Sequence, residues 1–143
     1  MTSKRILVSA LGAALPQGVC APPALADDDW DRYADSGYQY CDAVMLGAQW
    51  GQSVDEAKAT IGRKLGWGNA SIVESDLDSA RQRNIRCQFE DTGFGYEDAE
   101  ALAQMWEVAV DDAKAALAEK VSMGMRDLAN EVVAQAHGES DGD

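Results

Sequence analysis

Carboxylates dominate the side chains that could do chemistry. The 143-residue chain carries 25 Asp and Glu against 12 Lys and Arg, with one His. Several acids recur three or four residues apart: Glu74 with Asp78, Glu97 with Glu100, Glu107 with Asp111, and Asp127 with Glu131. On a helix that spacing puts both members of a pair on one face. Two such carboxylates could serve as acid and base in glycoside hydrolysis, and a carboxylate-based hydrolase would rest on Glu107 and Asp111. In so acidic a chain, however, composition alone generates these pairs. Di-iron bundles need Glu-x-x-His motifs, which the sequence lacks. It assigns no catalytic residue, no metal ligand and no cofactor, and the non-enzymatic reading takes precedence.

The other reactive residues are sparse. His137 stands near the end of a helical stretch with no acid three or four residues before it, so no local group orients it as a general base. Asp27, Asp29 and Asp31 alternate as in an EF-hand loop. Positions six and twelve of that loop need Gly and Glu, and the chain has Arg32 and Tyr38 there. Met123-Gly124-Met125 has the spacing of a thioether metal site, but residues two apart on a helix diverge. A core role for Met125 is the simpler reading. Trp30, Tyr33, Tyr38 and Tyr40 form the densest aromatic group. Tyr and Trp offer contact area with a polar handle, so these four are the candidate partner-binding residues. The alternative use for them is a hydrophobic lid that docks the N-terminal segment. Trp50, Trp67 and Trp106 are expected in the core or at its rim.

Cysteine usage and the N-terminus point to export. Lys4 and Arg5 precede an uncharged apolar run, Ile6 to Leu15, and Ala24-Leu25-Ala26 closes a Pro/Gly-containing stretch. That order is the pattern of a secretory signal peptide over residues 1–26. The apolar run is half the roughly twenty residues a spanning helix needs, so no membrane insertion is expected after cleavage. Val19 beside Cys20 fits a lipidation site poorly, and Cys20 is read as leaving with the signal. Cleavage removes two bases and no acid, leaving 10 basic and 25 acidic residues, a formal charge of −15. Such a surface repels phosphate backbones and anionic lipid, which argues against nucleic-acid and membrane partners. Cys41 and Cys87 remain as an even pair in an oxidising compartment, and a disulfide between them follows.

The elements that must position these residues read as helices throughout. Residues 27–37 are acidic without apolar period and are read as a flexible lead-in; residues 38–137 form a single domain; residues 138–143 are a disordered acidic tail. Tyr38, Cys41, Met45 and Ala48 share one helix face, and Gly51 ends that helix. Ser53 and Glu56 have the form of a capping box, followed by the stripe Val54, Ala57, Ile61 and Leu65. A second box pattern, Ser71 with Glu74, predicts a helix running out near Arg86 and delivering Cys87 beside the first. Residues 96–137 contain no Pro and keep the stripe Trp106, Val110, Ala113, Leu117, Val121, Met125, Leu128 and Val132. Unbroken, such a helix would extend about 60 Å, too long for a compact domain, so a bend is expected near Gly124. The alternative is a straight helix that forms a homodimer as a coiled coil. The fold class is therefore all-α, a small bundle of about four to five helices stapled by one disulfide.

Tyr40-Cys41-Asp42 resembles the aromatic-Cys-acidic start of the first helix in the small acid-stress chaperones of the bacterial periplasm, which are exported helical proteins with one disulfide of similar span. The resemblance covers residues 38–90 in outline; Phe89 to Gly95 and the long helical region do not belong to that pattern, and no residue role is carried over. The expected function is that of a periplasmic or secreted binding or accessory protein whose partner is another protein of the cell envelope. Acid-stress chaperoning, which the resemblance implies, is the first alternative, and the carboxylate-based hydrolase is the second.

Overall fold

The computed structural model describes residues 27–140. The expected signal peptide, Cys20 and residues 141–143 lie outside that range. Seven α-helices and one short 3-10 turn make up the described residues, without a strand: α1 (Asp27–Asp35), α2 (Tyr40–Trp50), α3 (Val54–Gly66), α4 (Ala70–Gln82), the turn Phe89–Asp91, α5 (Tyr96–Trp106), α6 (Val110–Ser122) and α7 (Arg126–Ser140). The fold is the expected all-α bundle, with more and shorter helices.

Local sequence sets several boundaries. Ser53 Oγ accepts from the Glu56 amide at 3.1 Å while Glu56 returns to the Ser53 amide at 2.9 Å, the reciprocal cap expected there. Gly51 ends α2 in the left-handed region, φ 69°. The box expected at Ser71 does not form. α4 starts at Ala70, after Asn69 and with no side-chain cap, so Ser71 lies inside the helix, and the Glu74 carboxylate accepts from Tyr38 instead. α4 also stops at Gln82, and a turn with Asn84 at φ 62° redirects the chain toward Cys87.

The segment read as a flexible acidic lead-in forms helix α1 and packs along α3. Its inward face carries an unusual set of residues. Asp29 is buried, with Arg32 at 3.2 Å and Arg63 at 3.5 Å. Trp30 and Tyr33, with Tyr40 from α2, surround the Lys58 ammonium at 5.4, 5.9 and 4.8 Å from their ring centroids, the distances of cation–π attraction. Gly62 lets the two helix backbones meet there, since an added Cβ would lie 1.8 Å from the Asp29 carbonyl oxygen.

The long C-terminal region is three helices. The break at Met123-Gly124-Met125 is where a bend was expected, with Gly124 at φ 79°. The second break, after Trp106, was not expected: Glu107 takes a left-handed conformation, φ 56°, and closes α5. Each break resets the phase of the apolar stripe. Ala113, Leu117 and Val121 are buried as the pattern requires, but beyond Gly124 the core takes Ala129, Val133 and Ala136, leaving Met125 and Leu128 exposed. A straight dimerising helix over residues 96–137 is therefore not formed. The end of α7 also takes up Gly138 and its neighbours, where a disordered tail was expected.

The core joins both halves around α2, which packs on α3, α4 and α6. Met45, Leu46, Ile61, Val73, Leu77, Leu102 and Leu117 fill it, and alanines on every helix from α2 to α7 let the helices approach closely. The Cys41–Cys87 disulfide is formed and buried. Ser122 Oγ accepts from the Cys87 amide at 3.0 Å and lies 3.3 Å from Cys87 Sγ, which ties the end of α6 to the same point.

Candidate binding cleft

The α1–α2 turn, α4 and the α6–α7 turn converge on a cleft of about 480 Å³, within the usual range for ligand sites. Its charged lining comes from three helices: Asp42 on α2, Glu74 and Arg81 on α4, and Arg126 with Asp127 at the start of α7.

Each group is positioned by its own local structure. Ser36 Oγ donates to the Tyr33 carbonyl at 2.6 Å and accepts from the Tyr38 amide at 3.1 Å. With Gly37 at φ 86°, this turn swings Tyr38 across to α4, where its hydroxyl donates to Glu74 Oε1 at 2.5 Å. Burial pushes the Tyr38 phenol well up from its ordinary range, and the bond to the Glu74 carboxylate adds to this. Asp42 Oδ2 caps α2 by accepting from the Gln39 amide at 2.8 Å. Burial raises the Asp42 carboxyl above its usual range. The Gln39 bond and the positive charges of Arg81 and Arg126 oppose that shift, while the negative charge of Glu74 reinforces it.

The two arginines are braced from behind. Arg81 Nε donates to the Ser122 carbonyl at 2.9 Å and Nη1 to Asp78 Oδ1 at 3.0 Å, which fastens α4 to the end of α6. Gly124 leaves room for it, since a Cβ there would lie 3.0 Å from Arg81 Nη2. Arg126 Nη2 donates to the Thr92 carbonyl, and its guanidinium lies over Phe94 at 5.6 Å. Arg126 Nε is buried and has no hydrogen-bond partner among the described residues.

Opposite charges thus line one cleft without pairing in it. Among the described residues, Asp42, Glu74 and Asp127 make no ion pair, Arg126 makes none, and Arg81 pairs only with Asp78.

Of the four aromatics singled out from the sequence, only Tyr38 lines this cleft; Trp30, Tyr33 and Tyr40 face Lys58 and hold α1, the lid arrangement. Trp67, expected in the core or its rim, is 68% exposed at the end of α3. The chain does unwind at Gly124, and Met123 and Met125 are both exposed there, so Met125 is not a core residue. Glu107 is the left-handed cap that closes α5 and Asp111 lies on α6, so the shared face assumed for them is absent. His137 does have an acidic partner: its Nε2 lies 2.8 Å from Asp98 Oδ1 on α5, 39 residues away. No helix among the described residues is long and apolar enough to cross a membrane, and no group of three or more His, Cys, Asp or Glu there is arranged to hold a metal ion.

The cleft arginines were missed because isolated basic residues at positions 81 and 126 carry no local signal. Tyr38, singled out among the aromatics, and Gly124, noted as a helix breaker, were the sequence features that pointed to the site. No family model matches this chain, and no characterised protein or solved structure is detectably similar to it.

Proposed function

We propose that the protein is an exported binding or accessory protein that recognises a polypeptide of its compartment through the cleft at Tyr38, Asp42, Glu74, Arg81 and Arg126. The observation that carries this reading is the set of opposite charges that line one cleft without pairing with one another. Charged groups kept from pairing with one another are available to a ligand, and charge-assisted hydrogen bonds are the strong ones. The walls are fixed by the buried disulfide, the Arg81–Ser122 bond and the Arg126–Thr92 bond, so little ordering remains to oppose binding. The same disulfide supports export, because such bonds persist in oxidising compartments. The test is photo-crosslinking in the native compartment with a reactive residue at Asp127, at the cleft, or at Asp55, at the start of α3. The reading requires a defined adduct from the cleft position alone; equal labelling from both positions, or none, refutes it.

One observation favours acid-triggered chaperoning as a second reading. α1 is held to α3 through the buried Asp29 carboxylate between two arginines. Acid strong enough to neutralise carboxylates removes that link and uncovers the face beneath it. Protection of an aggregating client near pH 3 together with release of α1 supports it, and an unchanged compact fold at pH 2–3 overturns it.

A further inference from the structure

We infer that the cleft recognises a zwitterion: a ligand group that presents an ammonium and a carboxylate a few bonds apart, as a short peptide with free ends or a free amino acid does. The inference rests on the binding role proposed for the cleft and specifies what enters it. Asp42 and Glu74 offer acceptors from α2 and α4, while Arg81 and Arg126 offer donors from α4 and the start of α7. Neither arginine comes within ion-pairing distance of either acid, although both act electrostatically on Asp42. The space between them is therefore bounded by unlike charges that the fold holds apart.

A ligand of single charge would gain from one set of these groups and be repelled by the other. A ligand carrying both charges gains from both, and in a partly desolvated cleft each contact is worth more than in water. Arg126 is also under-satisfied: its Nε–H is buried and lacks an acceptor among the described residues, a state that costs stability in a charged group, and a carboxylate in the cleft is drawn to the charge of this guanidinium. Among the described residues Arg81 Nη2 makes no hydrogen bond of its own, and Gly124 leaves the space beside it free of a side chain. Tyr38 holds one Glu74 oxygen, and no described residue takes the other. A cavity of about 480 Å³ suits a ligand of dipeptide size.

The test uses the purified oxidised protein without mutation, so folding cannot confound it. Calorimetry and amide NMR shifts would be followed with alanyl-alanine, its N-acetyl form, its C-terminal amide, and alanine alone. Alanyl-alanine is expected to bind and to move the amides of Gly37 to Asp42 and of Gly124 to Asp127. Blocking either end is expected to weaken binding at least about tenfold, the scale of one lost charged hydrogen bond. Stronger binding of the dipeptide than of alanine assigns the source to peptides, and the reverse assigns it to free amino acids. A variant, Arg126→Gln, should lose the preference for the free carboxylate over the amide while keeping the preference for the free amine. Equal affinity of the blocked and free forms overturns the inference. So does silence from all four probes; if crosslinking at Asp127 still yields a partner, only the zwitterion falls, and if that also fails, the binding role falls with it.

Discussion

Replacing Gly62 with alanine sets two effects of known sign against each other in different parts of the molecule. The added Cβ would stand 1.8 Å from the Asp29 carbonyl oxygen, and contacts under 3.0 Å essentially do not occur. The α1 backbone must therefore retreat by at least 1.2 Å, from 1.8 Å to 3.0 Å. A retreat of that size strains the Arg63–Asp29 pair, now at 3.5 Å, and opens the rings around Lys58. Overpacking of this kind costs about 1–3 kcal/mol. Within α3, however, the same change replaces a helix-interior glycine and favours the helix by about 0.5–1 kcal/mol. Because, among the described residues, α1 is joined along the chain to the body only through residues 36–39, it can undock alone and absorb the clash. Gly62→Ala should therefore lower amide-exchange protection of Asp31 to Asp35 by roughly fivefold to a hundredfold, the same 1–3 kcal/mol expressed as an equilibrium, and expose Trp30. The urea midpoint of the remaining bundle should not fall. Gly138→Ala, where an added Cβ meets nothing within 4 Å, is the control and should leave α1 unchanged. Unaltered α1 protection in Gly62→Ala would refute the account of how this helix is held.

Three further outcomes follow from the same structure. The double variant Cys41→Ala/Cys87→Ala releases a constraint across a sequence separation of 46; on chain-entropy grounds it should cost about 4 kcal/mol, read from urea unfolding, and an unshifted midpoint would contradict it. Ser122→Ala leaves the buried Cys87 amide without its acceptor and should cost about 1–3 kcal/mol; a loss below a few tenths in the same assay would show that another group replaces the hydroxyl. Burial, with the negative charges of Asp42 and Tyr40, pushes the Tyr33 phenol from 10.0 up to about 12. Its neutral form is favoured by folding, so its contribution is complete below pH 10 and disappears as pH rises through about 12. The phenolate absorbance lost in Tyr33→Phe should therefore come from that upper range, and a component removed near pH 10 would refute the assignment.

Much of the framework was legible along the chain because it depends on near neighbours. Helix α2 and its glycine stop, the Ser53–Glu56 cap, the break at Gly124 and the all-helical class all follow from spacing within a few residues. The disulfide, which is formed, was expected on the reading that Cys20 leaves with a signal peptide and Cys41 and Cys87 remain as a pair in an oxidising compartment. The failures share one cause. α1 carries no apolar stripe because its inward face is a carboxylate and two aromatic rings, matched by Arg63, Lys58 and Gly62 on α3. The break at Glu107 has no Gly or Pro to announce it, and once it occurs the phase of every later apolar residue is set by packing.

What the linear sequence determined was a helical, acidic, disulfide-stapled chain, because propensity, periodicity, charge and thiol chemistry are properties of residues and their immediate spacing. The tertiary structure alone decided which charges meet. Tyr38 with Glu74, Arg81 with the end of α6, Arg126 with Thr92, and His137 with Asp98 are separated by 34 to 41 residues. Long-range pairing of polar groups depends on how helices dock, and docking is set by small residues and turns whose effect appears only when the whole bundle is assembled.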